Sequence, residues 1–271
     1  MAVNDISLTS GMRSNLLQLQ NTSKLIDRTQ ERLSTGKQVN SALDNPTNFF
    51  AAQAHMNRAG DFAVRKDGMA EGIQTAKAAD AGITAVSALV DAAKGLAAAA
   101  LGTANTVDRS AFATQFETLR TQIDTLASDS GYRGTNLLAA QNLTVNFNED
   151  ASASLTVDGF SATSTGLTIN ANANNWANTT DIKSAQDDLY TASNELRAQS
   201  KTLANNLNII TTRQNFTDQM IGTLQTGADN LTLADMNQEG ANMLMLQTRQ
   251  NLGTTALSLS SQAAQSVLRL F

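Results

Sequence analysis

The chain has 271 residues, with 19 basic and 24 acidic side chains, a net charge of -5, no cysteine, one histidine (His55) and one proline (Pro46). This inventory excludes a Cys/His zinc site, disulfides, cysteine nucleophiles and haem attachment. It also leaves a Ser-His-Asp triad dependent on His55, with no Gly-x-Ser-x-Gly elbow to supply the serine. The acidic balance argues against nucleic acid as a partner, because phosphate contacts need an excess of Lys and Arg.

With a single proline the chain has room for very long helices. The first residues carry Asp5 but neither a basic run nor an apolar one, so no secretory signal peptide is expected. A helix is predicted over 6–33. Met12, Leu16, Leu19, Ser23, Ile26, Gln30 and Leu33 follow the alternating four-and-three steps of a coiled-coil seam, and Gly36 is its stop. An irregular connector follows, and Pro46 or Thr47 opens the next helix, because the residue before proline is biased out of the helical region. That helix reads from 47 to 101, with Phe62, Met69, Ala76, Ile83 and Val90 recurring every seven residues. Gly60, Gly68, Gly72 and Gly82 weaken it, so neighbours are expected to support it. His55 is expected to be a half-buried helix residue without a ligand role, and Asp91 and Lys94 solvated helix charges. The most apolar run, 92–101, is short of the ~20 residues that span a bilayer, so no membrane insertion is expected.

A third helix is predicted to start at Asp108-Arg109-Ser110 and to end at Gly131. Across 143–180 the pattern changes. Leu143, Val145 and Phe147, then Leu155 and Val157, then Leu167 and Ile169 alternate with polar residues. This period of two predicts a β-hairpin turning at Asn148-Glu149-Asp150, plus a further short strand or loop. Ser152, Ser154, Ser161, Thr163, Ser164 and Thr165 form a polar cluster there, read as a solvated loop or as O-glycosylation sites. Asn142-Leu143-Thr144 and Asn178-Thr179-Thr180 match the N-glycosylation pattern, a match common by chance.

Helix returns from 181 to about 226, with Ile182, Leu189, Leu196, Leu203 and Ile210 every seven residues. A last helix covers 233–270. Met245, Leu252, Leu259 and Ser266 form one of its heptad columns, and Arg249, Ala256, Ala263 and Leu270 the adjacent one. This helix is apolar nearly all round and therefore needs cover on most faces. The architecture implied is mainly α: an elongated antiparallel helical rod with a small β-hairpin region and the two terminal helices paired. Those helices are covered either by copies of the chain, which makes the protein self-assembling, or by the rest of their own chain in a monomeric bundle.

Several motifs, taken in order, carry a resemblance. Glu31-Arg32-Leu33-Ser34-Thr35-Gly36-Lys37, then Asn40-Ser41-Ala42 and Asp44-Asn45-Pro46, resembles the N-terminal region of bacterial flagellins. Gly131-Tyr132-Arg133-Gly134-Thr135-Asn136-Leu137-Leu138 is similar to the family's Tyr-x-Gly-x-Asn-Leu-Leu element. Ala234-Asp235-Met236, Asn242-Met243 and Gln265-Ser266-Val267-Leu268 are similar to its C-terminus. The resemblance implies a subunit of the flagellar filament, without cofactor or catalytic residues, in the short form that lacks large outer domains. It implies an inner filament-core domain of residues 1–43 plus 232–271, and a helical rod domain over 44–231 with its hairpin at about 143–170. The implied assembly interface comprises Met12, Leu16, Leu19, Ile26, Leu33, Met245, Leu252, Ala256, Leu259, Ala263 and Leu270. The implied partners are other copies, the hook–filament junction and cap proteins, and an export chaperone, with secretion through the flagellar type III pathway. A hook–filament junction protein is the alternative within this resemblance. A signalling coiled coil is the alternative outside it, but does not account for Ser34-Thr35-Gly36 or for the sparsely charged ends. No His-Glu-x-x-His is present, which excludes the metalloprotease insert of some flagellins.

Overall fold

The structure, a computed structural model, describes residues 10–268. The described residues form five α-helices, α1 (Ser10–Thr35), α2 (Pro46–Gly102), α3 (Thr106–Asp129), α4 (Thr179–Thr232) and α5 (Met236–Leu268), and one antiparallel hairpin of β1 (Leu143–Asn146) and β2 (Ser154–Val157). The fold is mainly α, as the heptad spacing predicts. The chain divides into two compact units. One comprises the described residues up to Asn57 and those from Leu224 onward; the other is Arg58–Thr223.

In the second unit the seven-residue columns are the core. Phe62, Met69, Ala76, Ile83 and Val90 of α2 are all buried, and so are Ile182, Leu189, Leu196, Leu203 and Ile210 of α4. Phe116 and Ile123 of α3 fill the space beside them. Two helix glycines read as weaknesses have a packing reason. A Cβ on Gly72 would stand 2.8 Å from Val145 Cγ2, and one on Gly82 would stand 2.8 Å from Leu138 Cδ2 and collide with Ser130 Oγ. The hairpin and the loop after α3 thus lie directly on the α2 backbone, while Gly60 and Gly68 face open space. Helix α2 also carries an 18-residue window apolar enough, by length and composition alone, to cross a membrane. This corrects the reading that no stretch qualifies. Ile83, Val86, Val90, Ala93, Ala97 and Ala100, a third of that window, are buried in the protein core. Asp91 and Lys94 pair with each other at 3.1 Å, and Lys94 Nζ lies 5.2 Å from the Tyr190 ring centroid.

Several boundaries move for local reasons. α3 begins at Thr106 because Asn105 caps it, its side chain accepting from Val107 N. α4 runs to Thr232, beyond the predicted end at 226. Leu167 and Ile169 are not a strand. They sit in turns, with Ile169 N–H donating to Ser164 O at 2.8 Å and Thr168 at φ 57°, and both side chains point inward. An alternating pattern here comes from turns and not from a ladder.

Polar side chains tie down the segment after the hairpin. Glu117 Oε1 accepts from the backbone N–H of Asn172 at 2.6 Å and from its Nδ2 at 2.9 Å, while Glu117 Oε2 accepts from Arg120. Burial raises the Glu117 carboxyl pKa, but the Asn172 and Arg120 hydrogen bonds outweigh it and hold the group below the ordinary glutamate range. A carboxylate whose folded-state pKa is depressed adds stability above its unfolded pKa and loses it as pH falls through the folded value. Glu117→Gln should therefore destabilise this unit at neutral pH by about 1–2 kcal/mol and flatten the fall of its melting temperature on acidification. A variant with the wild-type acid slope would show that other carboxylates dominate.

The motifs that carry the resemblance have plain structural roles. In the first unit, Gly36 takes φ 70° as the residue ending α1. Asp44 Oδ2 accepts from the backbone N–H groups of Asn40 and Ser41. Asn45 Oδ1 accepts from Asn48 N, capping α2 with Pro46 at its first position, as predicted. The two connectors then join: Gln38 N–H donates to Thr232 O at 2.8 Å and Ala234 N–H to Gly36 O at 2.9 Å. In the second unit, Arg133 (φ 47°) and Gly134 (φ 86°) form the tight turn between Tyr132 and Thr135. Asn136 Nδ2 donates to the carbonyls of Ala127 and Ser128, satisfying the end of α3, and its Oδ1 accepts from Leu138 N.

Candidate assembly surface

α1 and α5 pack against each other antiparallel, with Arg32 paired to Glu239 at 2.9 Å near one end and Leu19 against Gly253 further along. A Cβ on Gly253 would stand 2.7 Å from Leu19 Cδ2, so this glycine lets the helices approach. On α1, Met12 is buried and Leu19, Ile26 and Leu33 are half-buried. The intervening inward places include positions three residues on, at Asn15, Thr22 and Thr29, with Ser23 half-buried as well. Leu16, assigned to the seam by the four-residue step, is consequently 38% exposed.

On α5 the inward column is Glu239, Leu246, Gly253 and Ser260. The column assigned from the sequence to assembly contacts, through Met245, Leu252 and Leu259, lies one residue away from it. Met245, Leu252 and Leu259 are 46%, 66% and 62% exposed. Ala256 is half-buried, Ala263 is exposed, and Leu270 lies outside the described residues. An all-round apolar helix offers no unique stripe, so periodicity alone cannot say which column faces its partner. Leu17 and Leu244 are also exposed, and nothing in the heptad pattern singled them out.

Among the described residues of α1 and α5, Met12 and Leu246 are the only buried hydrophobic side chains. The two helices thus cover one another along a narrow line, with an apolar stripe of Leu244, Met245, Leu252 and Leu259 left to water. Burying each such side chain is worth roughly 1.5–3 kcal/mol. A groove of about 630 Å³ between them, lined by Leu19, Leu25, Leu252 and Ala256, among others, continues this surface.

The polar cluster near the hairpin is not one solvated loop. Ser152, Ser154 and Thr165 are exposed, whereas Ser161 and Thr163 are half-buried, with their hydroxyls 2.9 Å apart. Ser164 is buried, its N–H and hydroxyl both donating to Asp124, so it presents no acceptor oxygen to solvent for a glycan. His55 is half-buried beside Gly227. Among the described residues no group of three or more His, Cys, Asp or Glu side chains is placed to hold a metal.

The arrangement is that of a mainly helical protein with a one-sided pair of terminal helices. The profile of the bacterial flagellin N-terminal helical region matches residues 3–143. Flagellin FljM of Caulobacter vibrioides is 32% identical over the full length of both chains, and flagellin FljK of the same organism is 30% identical, also full length. A flagellin of Brucella melitensis is 27% identical over 93% of this chain and 94% of its own. Among solved structures, a crystal structure of Bacillus cereus flagellin aligns with 55% of this chain and 88% of its own, at 17% identity and a TM-score of 0.48. The chain belongs to the bacterial flagellin family.

Proposed function

We propose that this chain is the subunit of a flagellar filament, a structural protein that polymerises with copies of itself and serves motility. The observation that carries this reading is the uncovered apolar stripe on α5, together with the near absence of buried side chains between α1 and α5. Residues 1–43 and 232–271 would form the inner core of the filament, and 44–231 the rod outside it. The contacts would be made by the outward residues Leu16, Met245, Leu252, Leu259 and Ala263. Met12, Leu19, Ile26 and Leu33 would hold α1 to its own α5. Export through the flagellar type III pathway, a chaperone that shields the ends before export, and contacts with junction and cap proteins complete the proposal. Ser152, Ser154 and Thr165 are the hydroxyls open to O-glycosylation.

Adding purified chain to short filament seeds and imaging the product tests this reading. Long filaments are expected; a subunit that stops after a few layers would identify the hook–filament junction role instead. Amide exchange supplies a second check. α1 and α5 should exchange fast in the monomer and become protected by at least about a hundredfold in the filament, because their few internal contacts leave opening nearly free. Equal protection in both states would favour the self-contained bundle.

A further inference from the structure

We propose that Met245 is a methionine-oxidation site of the unassembled subunit, where a peroxide converts the thioether to a sulfoxide and so prevents the subunit from joining a filament. The proposal rests on the filament-subunit reading above. All sulfur in this chain is thioether, in 8 methionines with no cysteine, so two-electron oxidants have no thiol to meet first. The methionines differ sharply in access. Met69 is 0% and Met12 7% exposed, whereas Met56, Met236 and Met245 are 46%, 47% and 46% exposed. Of these three, only Met245 stands on the uncovered stripe, seven residues before Leu252 and fourteen before Leu259 on α5.

In the reaction a sulfur lone pair of Met245 attacks one peroxide oxygen. An S–O bond forms, the O–O bond breaks, and the departing hydroxide takes up the proton and leaves as water. Sulfur is oxidised by two electrons and the peroxide is reduced by two. The product exchanges an apolar atom for a strong hydrogen-bond acceptor. In solution, water satisfies it. In a covered face made with Leu244, Leu252 and Leu259 no side chain of the stripe donates to it, and a buried acceptor without a donor is unfavourable. Arg249, one turn further along α5, is the nearest charged donor on the helix. A sulfoxide satisfied by that guanidinium would carry a charge into the contact. Assembly and oxidation therefore exclude one another: an oxidised subunit does not dock, and a docked subunit has its sulfur covered.

The test treats free subunits and finished filaments with the same dilute hydrogen peroxide, maps added oxygen by peptide mass, and measures the mass sedimenting after seeded growth. Met245 is expected to gain one oxygen readily in free subunits and slowly in filaments, with Met69 slow in both. Oxidised subunits should need at least about a tenfold higher concentration to grow on seeds. Methionine sulfoxide reductase should restore growth. Met245→Leu, close in volume, should grow normally before and after peroxide, and Met245→Gln should grow poorly without any peroxide. Oxidised wild type that grows as before, or Met245→Leu that still loses growth on oxidation, would overturn the proposal. Untreated wild type that fails to add to seeds would overturn the filament reading itself, and this proposal with it.

Discussion

Leu259→Asp is expected to abolish filament growth while leaving the melting of the isolated subunit unchanged within about 0.5 kcal/mol. In the single chain Leu259 is 62% exposed on the outer face of α5, so a carboxylate there stays hydrated and ionised. In a filament where neighbouring copies cover that face, the same carboxylate must lose its water without a partner, or take up a proton. Either route costs at least several kcal/mol per subunit. The cost recurs at every added layer, so growth fails outright and does not merely slow. Sedimentation after seeding and thermal melting of the monomer, for both proteins, separate this result from the alternative. A monomer that melts early would place Leu259 in an internal core, and normal growth would remove α5 from the assembly contact.

Trp176→Ala should produce the largest loss of stability in the second unit, about 3–5 kcal/mol. Trp176 is fully buried, with its ring centroid 4.9 Å from that of Phe116. It holds φ 60° at the end of the turn Asn174–Trp176, after Asn174 and Asn175, which are left-handed as well. The indole N–H is the one buried side-chain polar atom without a hydrogen-bond partner among the described residues. Trp176→Phe should therefore cost much less than the alanine change, since it keeps an aromatic face against Phe116 and discards an unsatisfied donor. For a unit of this size the alanine variant should melt roughly 6–20 °C lower. Equal losses in the two variants would mean that the indole nitrogen has a partner, such as an ordered water.

The columns through Met69 and Leu189 were legible in the sequence because each repeats every seven residues over five positions. The Leu189 column also has charged neighbours such as Asp188, Glu195 and Arg197 that select one face. The terminal helices gave the right element and the right partner, but the heptad left open which line of α5 faces α1. The sequence of α5 has apolar residues at 244, 245, 246, 252, 256, 257 and 259, and only the small Gly253 opposite Leu19 reveals which line faces inward. The candidate contact residues were accordingly a mixture: Met12, Leu19, Ile26 and Leu33 turn toward the chain's own partner helix, while Met245, Leu252 and Leu259 turn outward. Trp176 left no periodic trace, because a left-handed turn places its side chain by backbone conformation and not by repeat. Glu117 and Asp124 were invisible for a related reason. Their partners, Asn172 and Ser164, lie 55 and 40 residues away in turns.

The pairing of Gly36 and Gln38 with Thr232 and Ala234 sets an order of events for the chain. These backbone partners are separated by nearly two hundred residues, and closing so long a loop must precede the hydrogen bonds that reward it. A chain that becomes free to fold from its N-terminus onward can form α2, α3 and the hairpin before its last fifth is available. It cannot close the rung between the two connectors until both Lys37 and Leu233 are free to pair. Completion of this unit thus requires almost the whole chain, and a chain truncated anywhere before residue 232 would never reach it.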